Sequence, residues 1–155
     1  MAKIHKNNRN GECSNSMKYK IKYLTIELSE GSDIKSPDTA FQILKDDFSP
    51  LQESLYLLGL NNKNAILLKE LVAKGHINRI SITPSDIFRP LLLNNCNSFI
   101  LAHNHPSREL SPSPEDEDFT SKIKEASNLM GLSFLDHIIF SNTDFFSFKK
   151  EGILL

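Results

Sequence analysis

The 155-residue sequence predicts an α/β fold in which a mixed β-sheet is covered by helices. Two observations support this class. Short apolar and β-branched runs alternate along the chain with segments of helical periodicity, and clusters of proline, glycine and asparagine separate them. Hydrophobic residues make up 39% of the chain, which excludes wholesale disorder and allows one buried core. We expect a single domain over residues 18–155, preceded by a flexible basic arm over residues 1–17.

The first half of the chain carries three element signals. Residues 19–28 are rich in β-branched and aromatic side chains and predict an edge strand. Ser36-Pro37 is typical of a helix start, with serine as the N-cap and proline at the first helical position. The apolar runs 53–60 and 65–75 are joined by the asparagine-rich segment 61–64, which predicts a β-hairpin.

The second half continues the alternation. Thr83-Pro84 opens a short helix, and the apolar residues 98–103 predict a buried central strand. A second buried strand is predicted over 132–140, and a short closing strand after residue 144. Between these strands, a helix from residue 114 to about 130 is predicted by one apolar face, ended by a glycine at 131. That face consists of Phe119, Ile123, Ala126 and Met130.

Charge and composition exclude several classes of protein. The net charge is −1, which argues against a dedicated nucleic-acid clamp, although residues 1–22 carry a local excess of basic residues. We expect this arm to be a solvated tail, with contact to phosphates as the alternative. No apolar run approaches the roughly 20 residues of a membrane span, and no secretory signal is present. Cys13 and Cys96 are too few for a disulfide framework, so we expect a cytoplasmic protein without a membrane partner.

The chemistry is concentrated at the end of the predicted central strand. His103 and His105 are two residues apart, so their side chains point to the same side of an extended chain. Asp116 follows in the first turn of the long helix, where one loop can bring it back to the strand end. Two imidazoles and a carboxylate suit zinc, and three protein ligands leave a fourth position for water.

A metal-free interpretation remains open for the same residues. Ser113, Pro114 and Asp116 form a good helix start by themselves, because a serine N-cap and a carboxylate three residues later cap each other. The two histidines are equally compatible with hydrogen-bonded structural residues in a loop. Spacing alone does not decide between these interpretations.

The segment H-N-H-P-S-x5-S-x2-D resembles the metal-binding signature of JAB/MPN (JAMM) metalloproteases. Here it consists of His103, Asn104, His105, Pro106, Ser107, Ser113 and Asp116. The string HNHPS, the later FLDHII segment and the ending Ser147-Phe148 to Glu151-Gly152 resemble the RadC-like branch of that superfamily. The likeness extends from about residue 36 to the C-terminus, and we expect a stand-alone form. It implies the JAB/MPN (cytidine-deaminase-like) fold.

The resemblance also implies roles for individual residues. One zinc ion per chain is expected, held by His103, His105 and Asp116. Glu53, in a Gln-Glu-Ser-Leu segment before the hairpin, matches the family's general base, whereas Glu70 and Asp86 lack that context. Ser113 matches a serine that stabilises the oxyanion, although a hydroxyl that caps a helix cannot fully serve both purposes.

Two further positions carry open questions. Arg108 occupies a position where RadC-like chains have glycine, which permits a positive φ that arginine adopts only at a cost. We therefore expect the loop to take a different path over the metal, and Arg108 to add a charge to the substrate groove. Asp136 and His137 match the family signature without an assigned role. A buried Asp–His hydrogen bond and support of the metal ligands are the two interpretations.

The leading functional hypothesis is therefore a zinc-dependent metallohydrolase that cleaves a peptide or isopeptide bond in a protein or peptide substrate. The alternative, a DNA-repair-associated accessory factor or nuclease-like protein, depends on the basic arm, and the acidic run 115–118 opposes it. A metal-free binding module is the third hypothesis, and the complete ligand set argues against it. The sequence leaves the substrate and the oligomeric state open.

Overall fold

The computed structural model describes residues 33–48, 51–75, 82–141 and 143–154. In these residues the chain forms three helices and five strands, which confirms the predicted α/β class. Their order is α1 (Pro37–Leu44), β1 (Ser54–Leu60), β2 (Ile66–Lys74), α2 (Pro84–Leu93), β3 (Ser98–Asn104), α3 (Pro114–Met130), β4 (Ser133–Phe140) and β5 (Phe145–Ser147). The predicted arm over 1–17 and the predicted strand over 19–28 lie outside the described residues, and the division into arm and domain stays a prediction.

The described strands form one mixed sheet in the order β2-β1-β3-β4-β5. The predicted hairpin is confirmed, because β1 pairs antiparallel with β2, and β1 also pairs antiparallel with β3. β3 and β4 run parallel, with α3 as the crossover between them. A parallel crossover returns the chain to the starting edge of the sheet, so the helix that follows β3 begins beside the end of that strand. The functional residues lie at this junction.

The helix starts follow from short capping sequences. The Ser36 hydroxyl accepts the backbone N–H of Thr39 at the start of α1, as the Ser-Pro pair predicts. At α2 the Asp86 carboxylate accepts both the backbone N–H and the hydroxyl of Thr83, at 2.8 and 2.7 Å. This capping role leaves no support for Asp86 as a catalytic base.

Two apolar layers cover the two faces of the sheet. Phe99 and Leu101 of β3 belong to the layer beneath α2 and α3, whereas Ile100 and Ala102 belong to the layer beneath α1. Every residue of β3 is buried, which explains the continuous apolar run at the centre of this strand, residues 99–102. No helix in the described segments is long and apolar enough to cross a membrane.

The predicted apolar face of α3 is wrong in part. Met130 is 46% exposed, and the buried residues of the helix are Thr120, Ile123 and Ser127. Phe119 and Ala126 pack only partly against the core. The buried face of the helix therefore includes a threonine, whose hydroxyl lies 2.6 Å from the ring of a buried histidine on β4.

Candidate metal centre

The three residues predicted as metal ligands converge where β3 ends and α3 begins. His103 Nε2 lies 2.9 Å from His105 Nε2, and the Asp116 carboxylate faces both rings. Its Oδ1 is 3.2 Å from His103 Nε2, and its Oδ2 is 3.4 Å from His105 Nε2. A tetrahedral zinc site with bonds of ~2.0–2.1 Å has ligand–ligand separations of about 3.3 Å, so the cluster matches the size of such a site.

Glu53 joins this cluster from the neighbouring strand. It immediately precedes β1, and the pairing of Leu55 with His103 brings it to the end of β3. Glu53, His103 and His105 offer ligand atoms that all lie within 4.8 Å of one another and could hold a metal ion. The carboxylate predicted as the general base is thus close enough either to bind a metal or to exchange protons beside it.

Asn104, between the two histidines, fixes the backbone that carries this glutamate. Its Oδ1 accepts the backbone N–H of Ser54 at 2.9 Å, and its Nδ2 donates to the carbonyl of Gln52 at 3.1 Å. Gly75 adds a further restraint by donating its N–H to the Glu53 carbonyl. In the sequence Asn104 is visible only as part of a motif, and its contacts with β1 depend on the register of β1 against β3.

The hydrogen bonds around His105 orient its ring for binding a cation. Its Nδ1 is 2.8 Å from the Glu109 carbonyl oxygen, which can only accept, so Nδ1 carries a proton. In the neutral ring, Nε2 therefore presents its lone pair to His103 and Asp116. Acceptors this close to one another require a proton or a metal ion between them.

The pKa values of His105 and Asp116 reflect the same requirement for a positive charge between these side chains. Hydrogen bonding to Asp116 raises the pKa of His105, with burial acting in the opposite direction. Burial acts to raise the pKa of Asp116, but hydrogen bonds from His103, His105 and Ser113 together lower it well below its usual value. The cluster thus keeps an ionised carboxylate beside a site that favours positive charge.

Ser113 is the N-cap of α3 and is bound to Asp116 in both directions. Its hydroxyl donates to Asp116 Oδ2 at 2.6 Å and accepts the backbone N–H of Asp116 at 3.2 Å. The Ser113 N–H also donates to Oδ2, at 2.8 Å. The predicted capping box is confirmed, and it orients the carboxylate so that Oδ1 faces His103.

The cluster opens into a surface pocket of about 510 Å³. Its lining residues are Glu53, His105, Pro106, Ser107, Glu109, Ser111, Pro112, Ser113 and Asp116. His103 is only 2% exposed and lies behind this lining. The pocket therefore opens onto the candidate metal position, with His105 and Asp116 in its lining and His103 shielded behind them.

The two open questions from the sequence have structural answers. The different backbone expected at Arg108 is wrong: the residue has a φ of 65°, so the loop keeps the left-handed conformation that favours glycine and the arginine carries the strain. Both ring nitrogens of His137 bind residues other than Asp136, namely His103 and Thr120. The Asp136 carboxylate instead accepts the Ser147 hydroxyl and the Lys149 N–H. A buried Asp–His hydrogen bond is present through the His137 backbone, while the His137 ring contacts His103, the residue predicted as a metal ligand.

The chain is similar to known proteins over the region that contains these residues. A family model described as the RadC-like JAB domain matches residues 34–153. A "UPF0758 protein" of Aquifex aeolicus is 44% identical over 121 residues, covering 78% of this chain and 52% of that protein. Another, from Clostridium beijerinckii, is 38% identical over 126 residues, covering 79% and 55%. The chain thus spans about half the length of the curated relatives it matches.

Proposed function

Because the chain belongs to the RadC-like JAB domain family, we propose that it is a zinc-dependent hydrolase that cleaves a peptide or isopeptide bond. One observation carries the proposal. Two imidazole nitrogens and a carboxylate converge within 3.4 Å of one another at the floor of an open pocket. A capping box alone accounts for the position of Asp116 but not for two histidine nitrogens turned towards it.

We assign His103, His105 and Asp116 as the ligands of one zinc ion per chain. Nitrogen and oxygen donors of this kind are typical of catalytic zinc, and three of them leave a position open towards the pocket. When bound there, zinc supplies Lewis-acid chemistry, polarising a carbonyl group and lowering the pKa of a water molecule towards about 7.

Glu53 is the residue that we propose to move the proton. Its carboxylate lies beside the two histidines, where it can take a proton from the attacking water and return it to the leaving amine. Asn104 holds the backbone on both sides of it and so limits its position relative to the ligands. A base that is positioned by the same strand as the ligands needs little reorganisation during the reaction.

Ser113 is our proposal for stabilising the oxyanion. Its hydroxyl proton is directed at Asp116 Oδ2, so it must rotate towards the substrate oxygen as negative charge develops there. The backbone N–H of Ser113 continues to bind the carboxylate during that rotation, which keeps Asp116 in place.

The pocket favours a peptide or isopeptide substrate over a phosphodiester. Glu53, Glu109 and Asp116 all line it, and among the residues that the structure describes the lining contains no lysine or arginine. Such an environment repels a phosphate backbone. The DNA-repair hypothesis depends on the basic arm, which lies outside the described residues, and like the cytoplasmic location it stays a prediction.

Metal analysis of the purified protein tests the site. We expect about one zinc per chain in the wild type, and loss of that zinc in His103→Ala and Asp116→Asn. Asp86→Asn is the matched control, since Asp86 makes the same capping box at α2 away from the site. It removes a helix cap and leaves the zinc in place. A folded wild type that takes up no zinc even when zinc is offered overturns the proposal.

Assays on peptide and isopeptide substrates test the reaction. Glu53→Gln is the decisive variant, because it removes the proton acceptor while keeping the shape of the side chain. We expect it to retain zinc and to lose at least about 100-fold in hydrolysis, the lower end of a general-base contribution. Loss of zinc from this variant would show that Glu53 is a ligand instead.

A further inference from the structure

A buried chain of hydrogen bonds leads from the ring of His103 to the first turn of α3. His103 Nδ1 lies 2.9 Å from His137 Nε2, and His137 Nδ1 lies 2.6 Å from Thr120 Oγ1. Thr120 Oγ1 in turn donates to the backbone carbonyl of Asp116 at 2.6 Å. The three side chains of His103, Thr120 and His137 are at most 3% exposed, so water does not compete for these contacts.

The direction of each hydrogen bond in this chain follows from the group at its far end, the Asp116 carbonyl. The Asp116 carbonyl can only accept, so the single hydroxyl proton of Thr120 points at it. Thr120 Oγ1 must therefore accept from His137, which places a proton on His137 Nδ1.

His137 carries only that one ring proton. Its ring is 1% exposed and stacked on Phe148, with ring centres 4.9 Å apart. The ring nitrogens bind a neutral hydroxyl and a second imidazole, so neither nitrogen has a carboxylate as its hydrogen-bond partner, and a second proton would place a charge in a buried position. His137 Nε2 is therefore an acceptor, and His103 Nδ1 is the donor to it.

We propose that Thr120 and His137 are positioning residues that hold the proton of His103 on Nδ1 and so present the Nε2 lone pair to the metal. This inference rests on the proposed zinc site. The Glu109 carbonyl imposes the same tautomer on His105, so both lone pairs are directed to one point. The hydroxyl of Thr120 also fixes the backbone of Asp116, which links the third ligand to the same hydrogen-bond chain.

Thr120→Val breaks this chain without touching a ligand. Valine keeps the shape of threonine, but His137 Nδ1 loses its acceptor. His137 then gains by carrying its proton on Nε2 and donating to His103 Nδ1, which shifts the His103 proton to Nε2. Because that proton must leave before a metal binds, we expect the zinc affinity to fall by about 10–100-fold. Thr120→Ser keeps the hydroxyl and should restore most of the affinity.

Two measurements test the proposal. Imidazole ¹⁵N NMR of the wild type, with and without zinc, should show His137 protonated on Nδ1 and not on Nε2. Competition with a chromophoric zinc chelator should give the order wild type, then Thr120→Ser, then Thr120→Val. Ser127→Ala is the matched control, because it removes another buried hydroxyl of α3, one that donates to Lys124. Its zinc affinity should equal that of the wild type.

The outcomes separate this inference from the proposed function. A proton on His137 Nε2 in the wild type overturns it, whether or not zinc binds and whether or not Thr120→Val folds. Unchanged zinc affinity in a folded Thr120→Val protein also overturns it, since a merely structural threonine would cost stability alone. If the wild type binds no zinc, the proposed function fails, and the NMR result still decides the direction of the hydrogen-bond chain.

Discussion

The side-chain amide of Asn104 binds the backbone on both sides of Glu53, accepting from Ser54 and donating to Gln52. The residue between the two histidines thus determines where the proposed base stands. Since His103 and His105 belong to the same strand end, their positions relative to Glu53 are set by one rigid piece of sheet. A change at position 104 should therefore reduce the rate of hydrolysis more than it reduces zinc binding.

Asn104→Ala tests this relationship. It leaves the buried N–H of Ser54 without its acceptor, so we expect a loss of about 1–3 kcal/mol in the free energy of unfolding. Zinc content should be retained and hydrolysis should fall, as measured by chemical denaturation, metal analysis and substrate assays. Asn94→Ala is the control, because it removes a side-chain bond to Pro90 at the end of α2. Wild-type hydrolysis by Asn104→Ala would contradict the positioning role.

Zinc should stabilise the folded chain. A ligand that binds only the native state at 100 times its dissociation constant contributes about 2.7 kcal/mol. We expect zinc to raise the melting temperature of the wild type and of Glu53→Gln alike, and a chelator to reverse the shift. His105→Ala should show no such shift, because it removes one of the converging nitrogens. A shift that Glu53→Gln abolishes would move Glu53 into the ligand set.

Arg108 should be replaceable by glycine with a gain in stability. A left-handed conformation costs about 1–2 kcal/mol for a residue with a Cβ, and glycine loses about 0.5–1 kcal/mol through its freer unfolded chain. We therefore expect Arg108→Gly to raise the free energy of unfolding by about 0.5–1 kcal/mol in urea denaturation. Arg108→Ala removes the same charge but keeps the Cβ. Equal gains from both variants would show that charge, and not backbone strain, is responsible.

Cys96 should react slowly with alkylating reagents. Burial raises the pKa of its thiol from 9.0 to about 11, so at pH 8 we expect alkylation about 100-fold slower than for an ordinary thiol. Stability linked to this thiol is complete below pH 9 and is lost as the pH rises towards 11. The measurement is iodoacetamide labelling of a Cys13→Ser protein, native and in urea. Rapid labelling of the native form would contradict the buried thiol.

The convergence of the three proposed metal ligands was predictable because these residues are close together in the sequence. His103, His105 and Asp116 lie on a strand end and a helix start that one loop connects, and the Ser113 cap is visible in the sequence. The mixed α/β sheet and the RadC-like family, both expected from the sequence, are confirmed. The alternation of apolar runs was enough to predict the sheet, because each strand of this fold can be recognised from its own pattern of apolar residues.

The supporting residues could not be found in this way. Glu53 was identified through resemblance alone, because its approach to His103 depends on the register of β1 against β3. Thr120 gave no signal, since a polar residue on a helix is ordinarily assigned to the solvent side. Apolar periodicity therefore favoured the face with Met130, which is partly exposed. The contact between Thr120 and His137 joins α3 to β4, residues 17 positions apart, and so becomes visible only in the folded structure.

The proposed metal ligands and the proposed general base come from different parts of the chain, so metal binding and catalytic activity can be lost separately. The three assigned ligands all fall within residues 103–116, whereas Glu53 comes from β1 and His137 from β4. A chain in which β1 is displaced relative to β3 keeps all three proposed ligands but loses the position of Glu53 beside them. A preparation can therefore be fully metallated and inert. Its active fraction must be counted with a probe that responds to Glu53, not with a zinc assay.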